Sequence, residues 1–356
     1  MAIQELSGDA KYAILNRIWP QMARSDFDTY MELYDKYFLF LEEQMSSVER
    51  RSILYSTKSV DELITLLEHI RRNAAQTKAE LFNDASEEKM RSADIAVRIW
   101  LMIHIQHTSA DSSLPSQWPN DTSLPDLLQC WSMPTSPKLQ SNGTRHIPET
   151  FSVANLNRYY GFQVNWTSDL LQHLKIDWKY KQITIFEHAI CLRNHLEHPD
   201  DCPLPKHFVQ EAVDTIKLLF PDDKDTKAFL SRDDRNFLKI PFGRERSLFL
   251  SDFFHWQREM SQLLDYWEQG PSGWSQIRLQ PDRSNFLEYS TFWIATIVLL
   301  LTIFSIIFGV AGLILAKKAL DVSVRSLEVS VQSYELSLAI ACAEANATET
   351  LPAFCK

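Results

Sequence analysis

The chain has 356 residues and a formal net charge of −10 at pH 7. This acidic balance argues against nucleic-acid binding and against a polybasic role at a membrane surface, since both depend on clustered Lys and Arg. Hydrophobic residues make up 45% of the chain, which is enough for the core of one large or two small domains.

Residues 1–106 are predicted to form an N-terminal helical region. Apolar residues recur with helical spacing after Ser25, a candidate helix start. Ser59 and Glu62 have the spacing of a capping box and predict a second helix. A third helix is predicted over 86–105, and it is too short and too charged to cross a membrane.

Residues 107–150 are predicted to be a loop or linker. This stretch holds six of the chain's fifteen prolines together with many Ser and Thr, and such residues interrupt regular structure. A short helix is expected inside it, around 124–131.

Residues 151–288 are predicted to form an α+β region. Phe162, Val164 and Trp166 alternate as in a half-buried strand, and 181–186 has the same period. Apolar spacing then changes to the helical period. Three further helices are therefore expected, over 187–196, 208–219 and 247–267.

The stretch 292–315 contains 24 residues without a charge. A hydrocarbon core about 30 Å thick needs roughly 20 helical residues, so this stretch can cross a lipid bilayer. The predicted fold class is thus mainly α with a small β element (α+β), a helical soluble body followed by one C-terminal transmembrane helix. No secretory signal is recognisable at the N-terminus, so we expect a cytosolic body and a lumenal or extracellular tail.

The tail, 316–356, contains two consecutive seven-residue repeats, 322–328 and 329–335. The repeat places apolar residues at alternating steps of four and three, as in a coiled-coil seam. These residues are Leu320, Val324, Leu327, Val331, Tyr334 and Leu338. Together with Ser305 and Gly309, a small-xxx-small pair in the span, they predict a homo-oligomer formed through span and tail. A second apolar row leaves contact with a membrane open as the alternative.

Cys342 and Cys355 frame Asn346, which begins the glycosylation sequon Asn-Ala-Thr. In an oxidising compartment the two thiols would close a disulfide loop around a glycan on Asn346. Sequons also arise by chance, and three others lie in the body, at Asn120, Asn142 and Asn165.

One dense group of ligand-type residues is a candidate zinc site. Its members are His188, Cys191, His195, His198 and Cys202. On a helix the first three share one face, and zinc takes Cys and His in tetrahedral sets. Their spacing matches no standard zinc motif. The alternative is that His188 and Cys191 are half-buried and the others face solvent.

No catalytic residue and no other cofactor-binding residue is predicted. The chain has eight glycines and lacks the glycine-rich patterns of dinucleotide-binding loops, P-loops and nucleophile elbows.

Five motifs carry a resemblance to a known family. They are AVRIWLM at 96–102, FSVANLNRYYGFQVNWTSDLLQHL at 151–174, LLFP at 218–221, FFHWQRE at 253–259 and FWIATIVLLLTIFSIIFG at 292–309. In this order they resemble functionally uncharacterised filamentous-fungal single-pass membrane proteins with a soluble N-terminal body and one C-terminal transmembrane helix. The resemblance covers nearly the whole chain and implies no site residues. Because some such genes lie near secondary-metabolite clusters, it implies an accessory role in biosynthesis.

The architecture is also similar to that of magnesium channels, but a second span and the Gly-Met-Asn signature are missing. Two functions remain from the sequence. One is a membrane-anchored interaction or accessory protein that binds an unidentified protein partner and no nucleic acid. The other is an enzyme of unrecognised type, zinc-dependent if the candidate site binds metal, which acts on a small molecule at the membrane surface.

Overall fold

The structure is a computed structural model that describes residues 6–82, 86–105, 117–132, 145–240, 245–270 and 286–343. Within these ranges the chain forms twelve α-helices and three short strands. It divides into two compact units, Met1–Asp282 and Arg283–Lys356. The first unit is called the body below.

The body begins with five helices, α1 (Gly8–Ile18), α2 (Arg24–Arg50), α3 (Val60–Arg72), α4 (Lys78–Phe82) and α5 (Glu87–Leu101). The predicted cap of α3 is confirmed, because Ser59 Oγ accepts a hydrogen bond from Glu62 N at 3.2 Å. Glu62 in turn accepts from Lys58 N at 2.7 Å, one residue before the position that a standard capping box uses. Helix α2 begins at Arg24 after Ala23, so Ser25 lies inside the first turn and does not cap it.

Helix α2 connects distant parts of the body, because its buried aromatic residues contact both α5 and the segment around Asn194. Tyr37 donates a hydrogen bond to Ile99 O of α5 at 2.8 Å. Tyr34 donates to the side-chain oxygen of Asn194 at 3.0 Å. Each phenol therefore keeps a partner while its ring is buried, which avoids the cost of an unsatisfied polar group.

Helices α6 (Leu124–Trp131) and α7 (Val153–Tyr160) follow. Helix α6 forms where the short helix in the proline-rich stretch is predicted, and Leu124 and Leu128 are buried in the core. Ser123 caps α6. The described part of the stretch 107–150 thus contributes to the body's core.

The strands are β1 (Gln163–Thr167), β2 (Ile176–Asp177) and β3 (Gln182–Phe186). They form a sheet in the order β1-β3-β2, with β1 parallel and β2 antiparallel to β3. This confirms the predicted α+β class. The strand β2 was not predicted, because two residues are too few for an alternating pattern. Since β1 and β3 are parallel, Thr167 and Phe186 bring their carboxyl ends to the same edge.

Four helices complete the described body, α8 (Ala189–Glu197), α9 (Lys206–Leu219), α10 (Lys224–Arg232) and α11 (Gln257–Glu268). The helix predicted over 247–267 is wrong in its first half, since α11 begins at Gln257. Before it, Leu248 and Leu250 pair with the segment 145–147 through two backbone hydrogen bonds, from Ile147 N to Leu248 O and from Leu250 N to Arg145 O, and Leu250–Asp252 forms a short 3₁₀ helix. These pairings replace the helical hydrogen bonds that the local spacing favours.

The second unit contains α12 (Phe286–Cys342), a single helix of 57 residues. At about 1.5 Å per residue it is roughly 85 Å long. Among the described residues it is the one helix long and apolar enough to cross a membrane. The predicted span and the following part of the tail therefore belong to one continuous helix.

Replacing Ser59 by Ala tests the helix cap. We expect Ser59→Ala to lower the free energy of unfolding of the body by about 1 kcal/mol, because the Ser59 hydroxyl accepts the hydrogen bond from Glu62 N in the first turn. Denaturant unfolding of the full-length protein in detergent, followed by tryptophan fluorescence, measures the change. Ser25→Ala is the matched control, since Ser25 lies in a first turn without capping it. Equal losses for both variants would contradict the assignment.

Candidate functional site

The five predicted zinc ligands surround α8 but do not form one cluster of ligands. Cys191 and His195 lie on the buried face of α8, and His188 immediately precedes the helix. His198 is its C-terminal cap residue. Cys202 follows the short 3₁₀ helix Pro199–Asp201 and is a free thiol.

Two of the three residues on the shared face contact core groups. His195 Nε2 lies 3.1 Å from Trp100 O; because a carbonyl only accepts, this nitrogen carries the proton. The His188 ring packs against Tyr37, Phe40 and Phe186, with ring centroids 5.6 to 6.3 Å away. The helical spacing that suggests a ligand face therefore also produces a buried packing face.

Burial also sets the ionisation of this face. Desolvation lowers the pKa of His188 and His195 to about 4 and raises the pKa of the Cys191 thiol well above its ordinary value. Both imidazoles are thus neutral and Cys191 is a thiol at pH 7. Over the ranges that the structure describes, no three His, Cys, Asp or Glu side chains are placed to hold a metal ion. The zinc site stays a prediction from sequence spacing.

A polar network occupies the edge where the parallel strands end. Glu187 follows β3, and its backbone N–H donates to Thr167 O of β1 at 3.0 Å. Its carboxylate accepts from Ser168 Oγ at 3.0 Å and forms an ion pair with Arg235. Arg235 lies over the ring of Trp166, with its Cζ atom 5.1 Å from the ring centroid. The sheet edge and the segment after α10 are thus joined by charge and stacking.

A cavity of about 350 Å³ opens beside this network, between α2, the start of α8 and the segment after α10. Its charged lining residues are Glu32, Asp35, Lys36, Glu187, Asp234 and Arg235. Leu33, Leu39 and Ile190 supply apolar walls. Asp234 sits in the left-handed backbone region with φ of 53° and pairs with Lys36 at 2.6 Å. A cavity with both charge signs and apolar walls can bind a small polar molecule.

Cavities at the carboxyl ends of parallel strands are a common position for binding sites. Sequence reasoning missed this one because its residues come from three separated segments. A signal was nevertheless present, since Glu187 directly follows the strand predicted over 181–186.

A second buried ionisable pair links α9 to the start of α11. Glu211 accepts hydrogen bonds from His255 N at 2.7 Å and Trp256 N at 2.9 Å. Burial raises the pKa of Glu211 to about 7 and lowers that of His255 to about 4. The other Glu211 carboxylate oxygen lies 3.9 Å from His255 Nε2. Both shifts favour the uncharged form of each group, so His255 is neutral at pH 7 while the Glu211 carboxyl group is partly protonated.

The predicted features of the tail lie partly outside the described residues. Cys342 is disulfide-bonded, whereas its predicted partner Cys355 and the sequon residue Asn346 are outside the described ranges. In the body, Cys130, Cys191 and Cys202 are free.

Comparisons with models of protein families, with curated proteins and with solved structures found no match for this chain. The functional inference therefore depends on the geometry of the body and of α12.

Removing a buried histidine tests the ionisation argument. His188 has a folded-state pKa of about 4, below its ordinary value near 6.5. The unfolded state thus binds more protons between these values, and stability is lost as the pH falls through this window. We expect His188→Leu to reduce the slope of unfolding free energy against pH by about 1.4 kcal/mol per pH unit there.

Denaturant unfolding of the full-length protein at several pH values measures this slope. His146→Leu removes an exposed histidine and measures the effect of losing a histidine at the surface. An unchanged slope in His188→Leu would contradict a buried neutral imidazole at this position.

Proposed function

We propose that this chain is a membrane-anchored interaction protein whose helical body is attached to a lipid bilayer by α12. The observation that carries the proposal is the apolar surface of α12. Its side chains between 292 and 315 are uncharged and mostly exposed in the isolated chain. Exposed apolar surface of this extent is unfavourable in water and favourable in hydrocarbon.

The two ends of the span support its placement. Tyr289 and Trp293 lie before and at its start, with their rings 6.4 Å apart, and such aromatic residues favour the membrane–water interface. Lys317 and Lys318 follow its end. Together they delimit a charge-free segment of about the length that a bilayer needs.

For orientation we propose a cytosolic body and a lumenal or extracellular tail. The redox state of the cysteines supports this arrangement, since Cys342 is disulfide-bonded and the three cysteines of the body are free. Disulfides persist mainly in oxidising compartments, whereas cytosolic thiols stay reduced.

The body is proposed to bind a protein partner and to act as an accessory factor. The fungal resemblance is the reason for suggesting a biosynthetic gene cluster as the setting. Exposed apolar residues on the body, Ile53 at 89% and Tyr180 at 62%, supply contact area for a partner. Recovery of one stoichiometric partner from crosslinked membranes would support this role.

The second candidate function is an enzyme acting on a small molecule at the membrane surface. The cavity of about 350 Å³ beside Glu187 and Arg235 is the observation that favours it. Metal analysis of the purified protein separates the two. Stoichiometric zinc that is lost in both His188→Ala and Cys191→Ala would favour a zinc enzyme or a zinc-structured module.

Extraction of membranes with alkaline carbonate tests the anchor. We expect the full-length protein to stay in the pellet, because burial of α12 in hydrocarbon does not depend on surface charge. Replacing Leu300 and Ile307 together by Arg should move it to the supernatant, since each charge at mid-span costs about 3 kcal/mol. The matched control places two Arg at Gln332 and Glu335, outside the span, and should remain in the pellet.

Glycan mobility tests the orientation. We expect endoglycosidase treatment to increase the gel mobility of the protein and Asn346→Gln to abolish this shift, because only a lumenal sequon is glycosylated. A shift that instead requires Asn120, Asn142 or Asn165 would place the body in the lumen and reverse the proposed orientation.

A further inference from the structure

Small residues of α12 form one uninterrupted row. Between 305 and 337 the sequence contains eleven Gly, Ala or Ser residues. Ten of them follow one another at alternating steps of four and three residues, and they fill one heptad seam without a gap. Only Ala311 lies off it. This small-residue seam consists of Ser305, Gly309, Gly312, Ala316, Ala319, Ser323, Ser326, Ser330, Ser333 and Ser337.

The spacing of the seam indicates another helix as its partner. Its steps alternate between four and three residues, a period of 3.5. An isolated straight helix has 3.6 residues per turn, so such a row drifts by about 20° per heptad around it. Only a second long helix, wound around the first in a left-handed supercoil, keeps the row at one interface.

Large apolar residues flank the seam on both sides. Leu320, Leu327 and Tyr334 lie on one side, and Val322, Val329 and Leu336 on the other. All six are exposed, by 59 to 68%. A helix of roughly 85 Å is far longer than a hydrocarbon core of about 30 Å, so lipid does not cover this part of α12. A protein surface is therefore needed there.

The charges of the tail helix avoid this interface. Between 316 and 343 the charged residues are Lys317, Lys318, Asp321, Arg325, Glu328 and Glu335. None occupies the seam or either flanking row. Two copies can thus meet along the seam without bringing like charges together and without burying a charge.

Two serines of the seam keep a hydrogen-bond acceptor when the interface excludes water. Ser330 Oγ donates to Ser326 O at 2.8 Å, and Ser337 Oγ donates to Ser333 O at 2.7 Å. These bonds lie within the helix, so the hydroxyl groups of Ser330 and Ser337 stay satisfied in an apolar interface.

We propose that the small-residue seam is the interface between two copies of this chain, packed as a parallel left-handed helix pair from the bilayer into the tail. A second copy inserts with the same orientation and presents the same seam at the same height, which a parallel pair requires. The small side chains let the two helix axes approach closely. This inference rests on the proposed membrane anchor.

The row with the larger residues, Leu320 to Leu338, is not the seam that we assign. Lys317 occupies the next position of that row toward the membrane and interrupts it, whereas the small-residue seam continues across the boundary with Gly312, Ala316 and Ala319. In the proposed pair the row from Leu320 to Leu338 lies beside the interface.

Cysteine crosslinking in native membranes tests the phase of the interface. Single cysteines are placed at each position from Ser323 to Gln332 in a Cys130→Ser background, and disulfide dimers are measured after mild oxidation. We expect maxima at Ser323, Ser326 and Ser330, with loss of dimer at Arg325, Glu328 and Gln332 on the opposite face. Maxima at Val324, Leu327 and Val331, or equal yields at every position, would overturn the assignment.

Two matched substitutions inside the span test close packing. Gly312→Leu adds a bulky side chain on the seam, whereas Ala311→Leu adds one beside it. We expect Gly312→Leu to abolish dimer in a crosslinking assay with Ser326→Cys, and Ala311→Leu to retain it. Equal dimer yields in the two variants would overturn the proposal.

Carbonate extraction of the same membranes separates this proposal from the anchor itself. If the protein stays in the pellet but its dimer yield does not vary with position in the crosslinking scan, only the seam assignment is overturned. Protein that leaves the pellet would overturn the membrane anchor and, with it, the basis for a parallel pair.

Discussion

The apolar surface of α12 is the constraint that shapes this protein. A helix of 57 residues whose side chains from 292 to 315 are uncharged has no favourable place in water, because nothing in its own unit buries those side chains. Lipid can cover about 30 Å of its length. The turns of α12 beyond the span carry their charges on one narrow strip. Their remaining apolar side chains therefore need a protein surface to cover them. The proposed membrane anchor and the proposed self-association both depend on this one helix.

The body is built in a different way. Buried tyrosines of its helices donate to a backbone carbonyl or to a buried amide, as Tyr37 does to Ile99 O and Tyr34 to Asn194. Histidines take part in the same pattern, since His195 donates to Trp100 O. The buried neutral imidazoles of His188 and His195 pack in the core, and their lowered pKa makes the fold sensitive to acid.

One polar network of the body lies where the parallel strands end. Glu187 and Arg235 pair there beside a cavity, while Glu211 and His255 form a separate pair between α9 and the start of α11. The first pair borders a space that a ligand could enter. The second links α9 to the turn before α11, because the Glu211 carboxyl group accepts hydrogen bonds from backbone N–H groups of that turn.

Local patterns in the sequence determined the elements whose cause is local. The charge-free run 292–315, the cap at Ser59, the short helix from Leu124 and the strands around Val164 and Ile183 all follow from neighbours in the chain. Their spacing and side-chain chemistry select helix, strand or span before any distant contact forms.

Only the tertiary structure decided which faces are buried and which residues meet. His188, Cys191 and His195 have a spacing that suits metal binding and core packing equally, and the fold placed aromatic rings and a carbonyl against them. Likewise 247–256 forms no α-helix, since Leu248 and Leu250 pair with the backbone of 145–147 and Leu250–Asp252 forms a short 3₁₀ helix. Contacts between distant segments carry no local signature in the chain, because their energy depends on where the fold brings each segment.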